Sequence, residues 1–165
     1  MLERFEKDHR YLAELADRIE ACLDNAGPVV AMRLGQLRCA LAHEAVRHTI
    51  VEDRLIYCAL DKADPQWMAR HRESFPCLRT NPFLQQLQQH IQDWDCHSVQ
   101  DDRPRHAATI RELLQLMRTR MALEEQFLYP RFRALPVPRG CASRRAPSAD
   151  SGMRRTSPGS ELPPA

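Results

Sequence analysis

The sequence predicts an all-α protein, an up-down four-helix bundle over residues 1–135 followed by a disordered tail over 136–165. Three observations lead there. Apolar residues recur at three-four spacing over four separate stretches, which is the period of a helix with one buried face. The stretches are punctuated by Gly27-Pro28, Asp64-Pro65, Asn81-Pro82 and Arg103-Pro104, pairs that end helices or open them. After Leu135 the composition turns to Pro, Gly, Ser and paired Arg, which cannot assemble an apolar face and stays unfolded.

The first helix starts at Leu2, with Phe5, His9, Leu12, Ile19 and Leu23 on one stripe. A second runs from about Val29 to Leu60 and places Leu34, Leu37, Leu41, Ala45, His48, Leu55 and Ala59 on its inner face. Residues 64 to 81 read as a connection with a short helix around Trp67 to Glu73. Asn81 caps the third helix, which carries Phe83, Leu87, His90 and Trp94 on one side. Pro104 opens the fourth, whose stripe is Ile110, Leu113, Met117, Arg120, Glu124, then Phe127 or Leu128. Short connections and single apolar stripes suit antiparallel neighbours around one core.

Size and charge narrow the function. The 165 residues amount to one ordinary domain, and the formal net charge of +2 argues against nucleic acid or an anionic membrane as partner. No apolar run is long enough to span a bilayer, and the charged opening from Met1 to His9 is unlike a secretory signal, so a cytoplasmic protein is expected. Cys22, Cys39, Cys58, Cys77, Cys96 and Cys141 form no Cys-x-x-Cys pair, and buried thiols are the expectation for most of them. Phosphate loops and nucleophile elbows are missing, so catalytic turnover is not expected.

One pattern occurs twice. Glu52 to Tyr57 and Glu124 to Tyr129 share two acids, then an apolar pair, then Tyr. Four residues before the first Glu stands His48; four before the second stands Arg120. Residues four apart share a helix face, so His48 and Glu52 form a chelating step that facing helices can complete, and imidazole with carboxylate suits iron, zinc or manganese. His9, His48, Glu52, His90 and Glu124 all fall on inner stripes and are the candidate metal ligands. His43, His71 and His106 are expected at the surface and His97 at the bundle end, while Trp94, Met117 and Met121 read as core.

The order His, His-x-x-x-Glu, His, then x-x-x-Glu over four helices, together with Asp8-His9 and the acidic-apolar-aromatic runs, resembles the hemerythrin-like (HHE) cation-binding family over residues 2 to about 135. That resemblance implies a non-haem di-iron centre inside the bundle, with a role in O2 binding, NO or redox sensing, or iron handling. It puts ligands at His9, His48, Glu52, His90 and Glu124, and it puts Arg120 where the family has His. A guanidinium stays protonated and has no free lone pair, so the centre is expected to be degenerate, with Arg120 paired to Glu124 or Glu52 and Glu44 able to join them. The partners expected are thus a metal ion, iron first, and O2 or NO. A metal-free bundle serving as a structural or protein-interaction module is the alternative. A ferritin-like di-iron oxidase would need two Glu-x-x-His steps, and only Glu6 to His9 provides one.

Overall fold

The computed structural model describes residues 1–25, 27–76, 81–94 and 102–136, and every regular element among them is helical. Helix α1 spans Leu2–Leu23, α2 Pro28–Glu52, α3 Cys58–Ala63, α4 Pro65–Arg70, α5 Pro82–Asp93, α6 Arg103–Leu123 and α7 Tyr129–Arg133. Two five-residue π-turns, Asp53–Tyr57 and Glu124–Leu128, join α2 to α3 and α6 to α7 without a break. The expected tail from 137 onward lies outside the described residues, as do His97, Cys77, Cys96 and Cys141.

Four helices close a ring, because α1 packs on α2, α2 on α5, α5 on α6 and α6 back on α1. Their starts follow the local chemistry. Asn81 accepts from the backbone N–H groups of Phe83 and Leu84, and Asp102 accepts from that of Arg105; each satisfies donors that the first helical turn leaves unpaired. Gly27 precedes α2 at a φ of 120°, a backbone state that side chains with a Cβ rarely adopt. Ion pairs brace the outside: Arg118 bonds to both Asp17 and Glu20, tying α6 to α1.

The apolar interior has two parts. One, with Leu15, Ile19, Leu37, Leu41, Leu87, Ile110 and Leu114, fills the ring. The other, with Phe5, Ile56, Leu60, Met68, Phe75, Leu128 and Tyr129, closes one end. Between Phe5 and Leu12, between Ala45 and Ile56, and between Met121 and Leu128, the buried residues are polar: His9, His48, Thr49, Glu52 and Glu124. A charged layer is thereby sealed between two apolar ones.

The two π-turns coincide with the two copies of the sequence repeat. Each contains a backbone bond reaching five residues back, Cys58 N–H to Asp53 and Tyr129 N–H to Glu124, so one residue more than the α period is accommodated. Side chains five apart, which an α-helix would separate by about 140°, come onto one side: Glu52 with Tyr57, and Glu124 with Tyr129. This corrects the predicted stripe. Leu55, expected inside, is 43% exposed, while Ile56 and Leu60 are fully buried. In the second copy Leu128 takes the inner position and Phe127 is 47% exposed.

Among the described cysteines Cys22 is buried, and Cys39 and Cys58 are exposed. One further expectation is corrected. His106 is buried, not at the surface, since it precedes Ile110 by one helical turn and continues the same stripe.

Candidate metal centre

His9 of α1, His48 and Glu52 of α2, and Glu124 at the end of α6 are brought together; each offers one ligand atom, and these atoms all lie within 4.8 Å of one another. All four are buried. Both imidazoles aim Nε2 into the cluster, 3.1 Å apart, and turn Nδ1 outward to a carboxylate. His9 Nδ1 is 2.7 Å from Glu125 Oε1, and His48 Nδ1 is 3.5 Å from Asp8 Oδ2. An ionised carboxylate only accepts, so Glu125 holds a proton on Nδ1 of His9, and Asp8 favours the same tautomer in His48. Two neutral rings held this way would face each other with Nε2 lone pairs. A cation between them, whether a proton or a metal ion, removes that conflict.

The carboxylates add to the demand for positive charge. Glu124 Oε2 lies 3.3 Å from His9 Nε2, and Glu52 Oε2 lies 3.9 Å from His48 Nε2. Neither oxygen of Glu52 has a hydrogen-bond partner, although the residue is fully buried; buried polar atoms are nearly always paired. The Tyr129 hydroxyl lies beside Glu52, near enough to affect its proton affinity but without good hydrogen-bond geometry. Donor atoms about 2.0–2.2 Å from one ion stand about 2.9–3.5 Å from their neighbours in the coordination shell. The separations of 3.1 and 3.3 Å around His9 Nε2 fall in that range, and Glu52 supplies the acceptors left unused. The donor set therefore fits one metal ion.

Arg120 occupies the other side of the carboxylates. Its Nε donates to Glu124 Oε1 at 2.6 Å, its Nη2 donates to the Tyr57 hydroxyl at 3.2 Å, and the same Nη2 is 3.9 Å from Glu52 Oε2. A fixed positive charge thus sits against both carboxylates, bonded to the Glu124 oxygen that does not face His9. Glu44 takes no part: it accepts from Arg47, which also bonds to Asp8.

His90 is not brought into this group. Arg38 of α2 donates to the His90 backbone carbonyl at 3.1 Å, and Arg38 precedes His48 by ten residues, about 15 Å along the helix. The His90 ring instead stands 5.1 Å from that of His106, with the Trp94 ring edge-on to His106 at the same distance. The expected convergence of five side chains is a convergence of four. Helical period gives the azimuth of a side chain, and His90 is indeed on an inner face; it does not give the height along the bundle axis.

Electrostatics follow the geometry. Burial works against a charge on His9, but the hydrogen bond and charge of Glu124, then those of Glu125, hold its pKa above the usual value. Burial and the neighbouring His9 push His48 down to about 4. Burial, reinforced by Glu124, raises Glu52 well above the carboxylate range, with Arg120 opposing. Glu124 has its own burial outweighed by the His9 hydrogen bond and Arg120, and ends below that range. In the remote cluster, burial and Arg38 lower His90 to about 3 and His106 to about 4.

A pH dependence follows. His48, His90 and His106 are neutral when folded and protonate near 6.5 when unfolded, so between about pH 6.5 and 4 the unfolded chain binds more protons. Each removes up to about 1.4 kcal/mol of stability per pH unit as pH falls. Glu52 runs the other way above its unfolded value, and His9, protonated in both states there, adds no slope. Urea midpoints of metal-free protein should fall from pH 6.5 to 4, and His90→Gln should make that fall shallower; a fall that His90→Gln leaves unchanged would contradict the assignment.

Sequence reasoning missed Glu125, Asp8 and Tyr129 as neighbours of the grouped side chains, and Tyr57 as the neighbour of Arg120. The two acids each adjoin a named candidate, and the two tyrosines sit at matching places of the repeat, so the signal was present. What concealed the tyrosines was the π-turn, because an α period turns them away.

The family model for the hemerythrin HHE cation binding domain matches residues 1–132, and the chain belongs to that family. It is a helical bundle of this family carrying a buried His/Glu group able to hold a metal ion. Neither the curated proteins nor the solved structures contain a significant match. Among the described residues, no helix is long and apolar enough to cross a membrane.

Proposed function

We propose that the protein binds a single metal ion, iron, through His9, His48, Glu52 and Glu124, and that Arg120 supplies the positive charge that a second ion would bring to a di-iron centre. The observation that carries this reading is the pair of Nε2 atoms 3.1 Å apart beside a buried carboxylate with no hydrogen-bond partner. Bound iron would contribute one-electron redox chemistry and an affinity for O2 or NO. The protein's own groups have other tasks. Glu125 holds the His9 imidazole in the tautomer that points Nε2 inward, as carboxylates behind metal-bound histidines do, and Asp8 stands 3.5 Å behind the His48 ring. Arg120 offsets the charge of two carboxylates buried together, and the apolar layers on either side keep water from them.

A change of ligand or oxidation state at this centre would alter the charge that α1, α2 and α6 share, and so the packing of the bundle. This is the basis for a sensing or iron-handling role, without catalytic turnover and in the cytoplasm. The test is metal content after expression with added iron. About one equivalent is expected, and less than about a tenth of an equivalent of iron, zinc or manganese would end the reading, since a preformed site of this kind gains folding free energy from its ion.

The Arg120–Glu124 contact of 2.6 Å favours a second reading, a metal-free structural or protein-interaction module with an ion-paired core. That version requires thermal unfolding to be indifferent to a chelator. The metal-binding version requires the midpoint to drop when the ion is removed.

A further inference from the structure

We propose that Tyr129 is a fifth ligand of this centre and binds the metal ion through its phenol oxygen, so that the donor set is two imidazoles, two carboxylates and one phenolate. The inference rests on the metal-binding reading above. Tyr129 Oη stands 3.0 Å from His9 Nε2, closer to it than either His48 Nε2 at 3.1 Å or Glu124 Oε2 at 3.3 Å. All three separations suit neighbours in one coordination shell, which stand about 2.9–3.5 Å apart. An ion touching His9, His48 and Glu124 would therefore find this oxygen within the same shell.

The ring is held for that position. Tyr129 is buried, lies nearly parallel to the His9 ring at 5.5 Å between centroids, and packs on Phe5 at 6.0 Å. The π-turn Glu124–Leu128 brings it to the side of Glu124. Its counterpart in the repeat is differently engaged, since the Tyr57 hydroxyl accepts from Arg120 Nη2 at 3.2 Å. The two tyrosines are equivalent in sequence but not in surroundings: one faces the Arg120 guanidinium, the other the Nε2 of His9.

The chemistry selects the ion. On binding, the metal–oxygen bond forms as the phenol O–H bond breaks, and the proton leaves to solvent. Glu52, Glu124 and the phenolate then present three anionic oxygen donors, with Arg120 offsetting one charge, and oxygen anions are hard donors that favour a hard, highly charged ion. Ferric iron is the ion this set would take in preference to zinc. Phenolate bound to ferric iron absorbs visible light by charge transfer from oxygen to metal, a signature that carboxylates and imidazoles do not produce.

The experiment loads the full-length chain with ferric iron and measures iron content, the visible spectrum and resonance Raman scattering excited in any band found. The expected result is a visible band with enhanced phenol-ring vibrations in the unaltered protein. Tyr57→Phe should keep that band, and Tyr129→Phe should lose it while still holding iron. Iron present without phenol-ring vibrations, or a band that persists in Tyr129→Phe, overturns the Tyr129 assignment and leaves the metal site standing. No iron uptake by the unaltered protein overturns both. Should Tyr129→Phe fail to fold, the decision passes to the unaltered protein and Tyr57→Phe: ring vibrations retained in both support Tyr129, and their loss with Tyr57→Phe refutes it.

Discussion

Arg120→Ala is expected to cost the metal-free protein about 3–5 kcal/mol, the usual penalty for removing one partner of a buried ion pair. The side chain is 12% exposed and its two nearest carboxylates are buried. With Arg120 gone, Glu124 loses a 2.6 Å charge-assisted bond and Tyr57 loses its donor. Glu124 is then left without its cation in a low dielectric, and Glu52, whose pKa Arg120 had been holding down, is pushed further toward its protonated form. Because most of that penalty is an unpaired charge, the double change Arg120→Ala with Glu124→Gln should recover a large part of it. Urea unfolding of the chelated proteins measures both. An Arg120→Ala variant within about 0.5 kcal/mol of the parent, the range of an ordinary surface change, would mean the pair has little structural weight. The companion change Arg120→His tests the same position from the other side: it replaces a cation by a ligand four residues before Glu124, and a second metal equivalent is expected.

His48→Ala should weaken metal binding by more than about 100-fold. Outer partners of metal ligands are worth about 10–100-fold, and His48 is a proposed ligand whose Nε2 stands 3.1 Å from that of His9. The apoprotein should survive the change, because His48 is neutral when folded and its approaches to Asp8 and Glu52 are long, 3.5 and 3.9 Å. Titration calorimetry with ferrous ion, beside a circular-dichroism melt, separates lost affinity from lost fold. Retention of near-parental affinity would remove His48, and with it the proposed geometry, from consideration. The outcome also bears on Arg120: if His48 is essential while Arg120→His adds a second ion, the two halves of the repeat have parted in role, one holding metal and the other holding charge.

The contrast between the two halves indicates how far the residues alone carried the reading. The bundle was legible because burying one stripe per helix is a local pattern, repeated often enough to be unambiguous at α1, α2, α5 and α6. His9, His48, Glu52 and Glu124 were legible for a related reason: each is a polar residue on an apolar stripe, and such residues need partners across the interior. The repeat with Arg120 in place of a second His likewise disclosed a centre whose halves are unlike.

His90, Tyr129 and the shifted faces of Leu55 and Ile56 were decided only by the tertiary structure. A helical period fixes the direction in which a side chain points and says nothing of its level along the bundle, so His90 points inward yet lies beside Arg38 and His106, away from the four grouped side chains. The period itself changes where a π-turn inserts a residue, a departure stabilised by what packs around it and invisible in the spacing of apolar residues. Sequence by itself therefore determined the architecture and the chemical character of the buried layer. Which donors share one point in space, and that Tyr129 stands among them, depended on helix heights and on two backbone turns that only packing establishes.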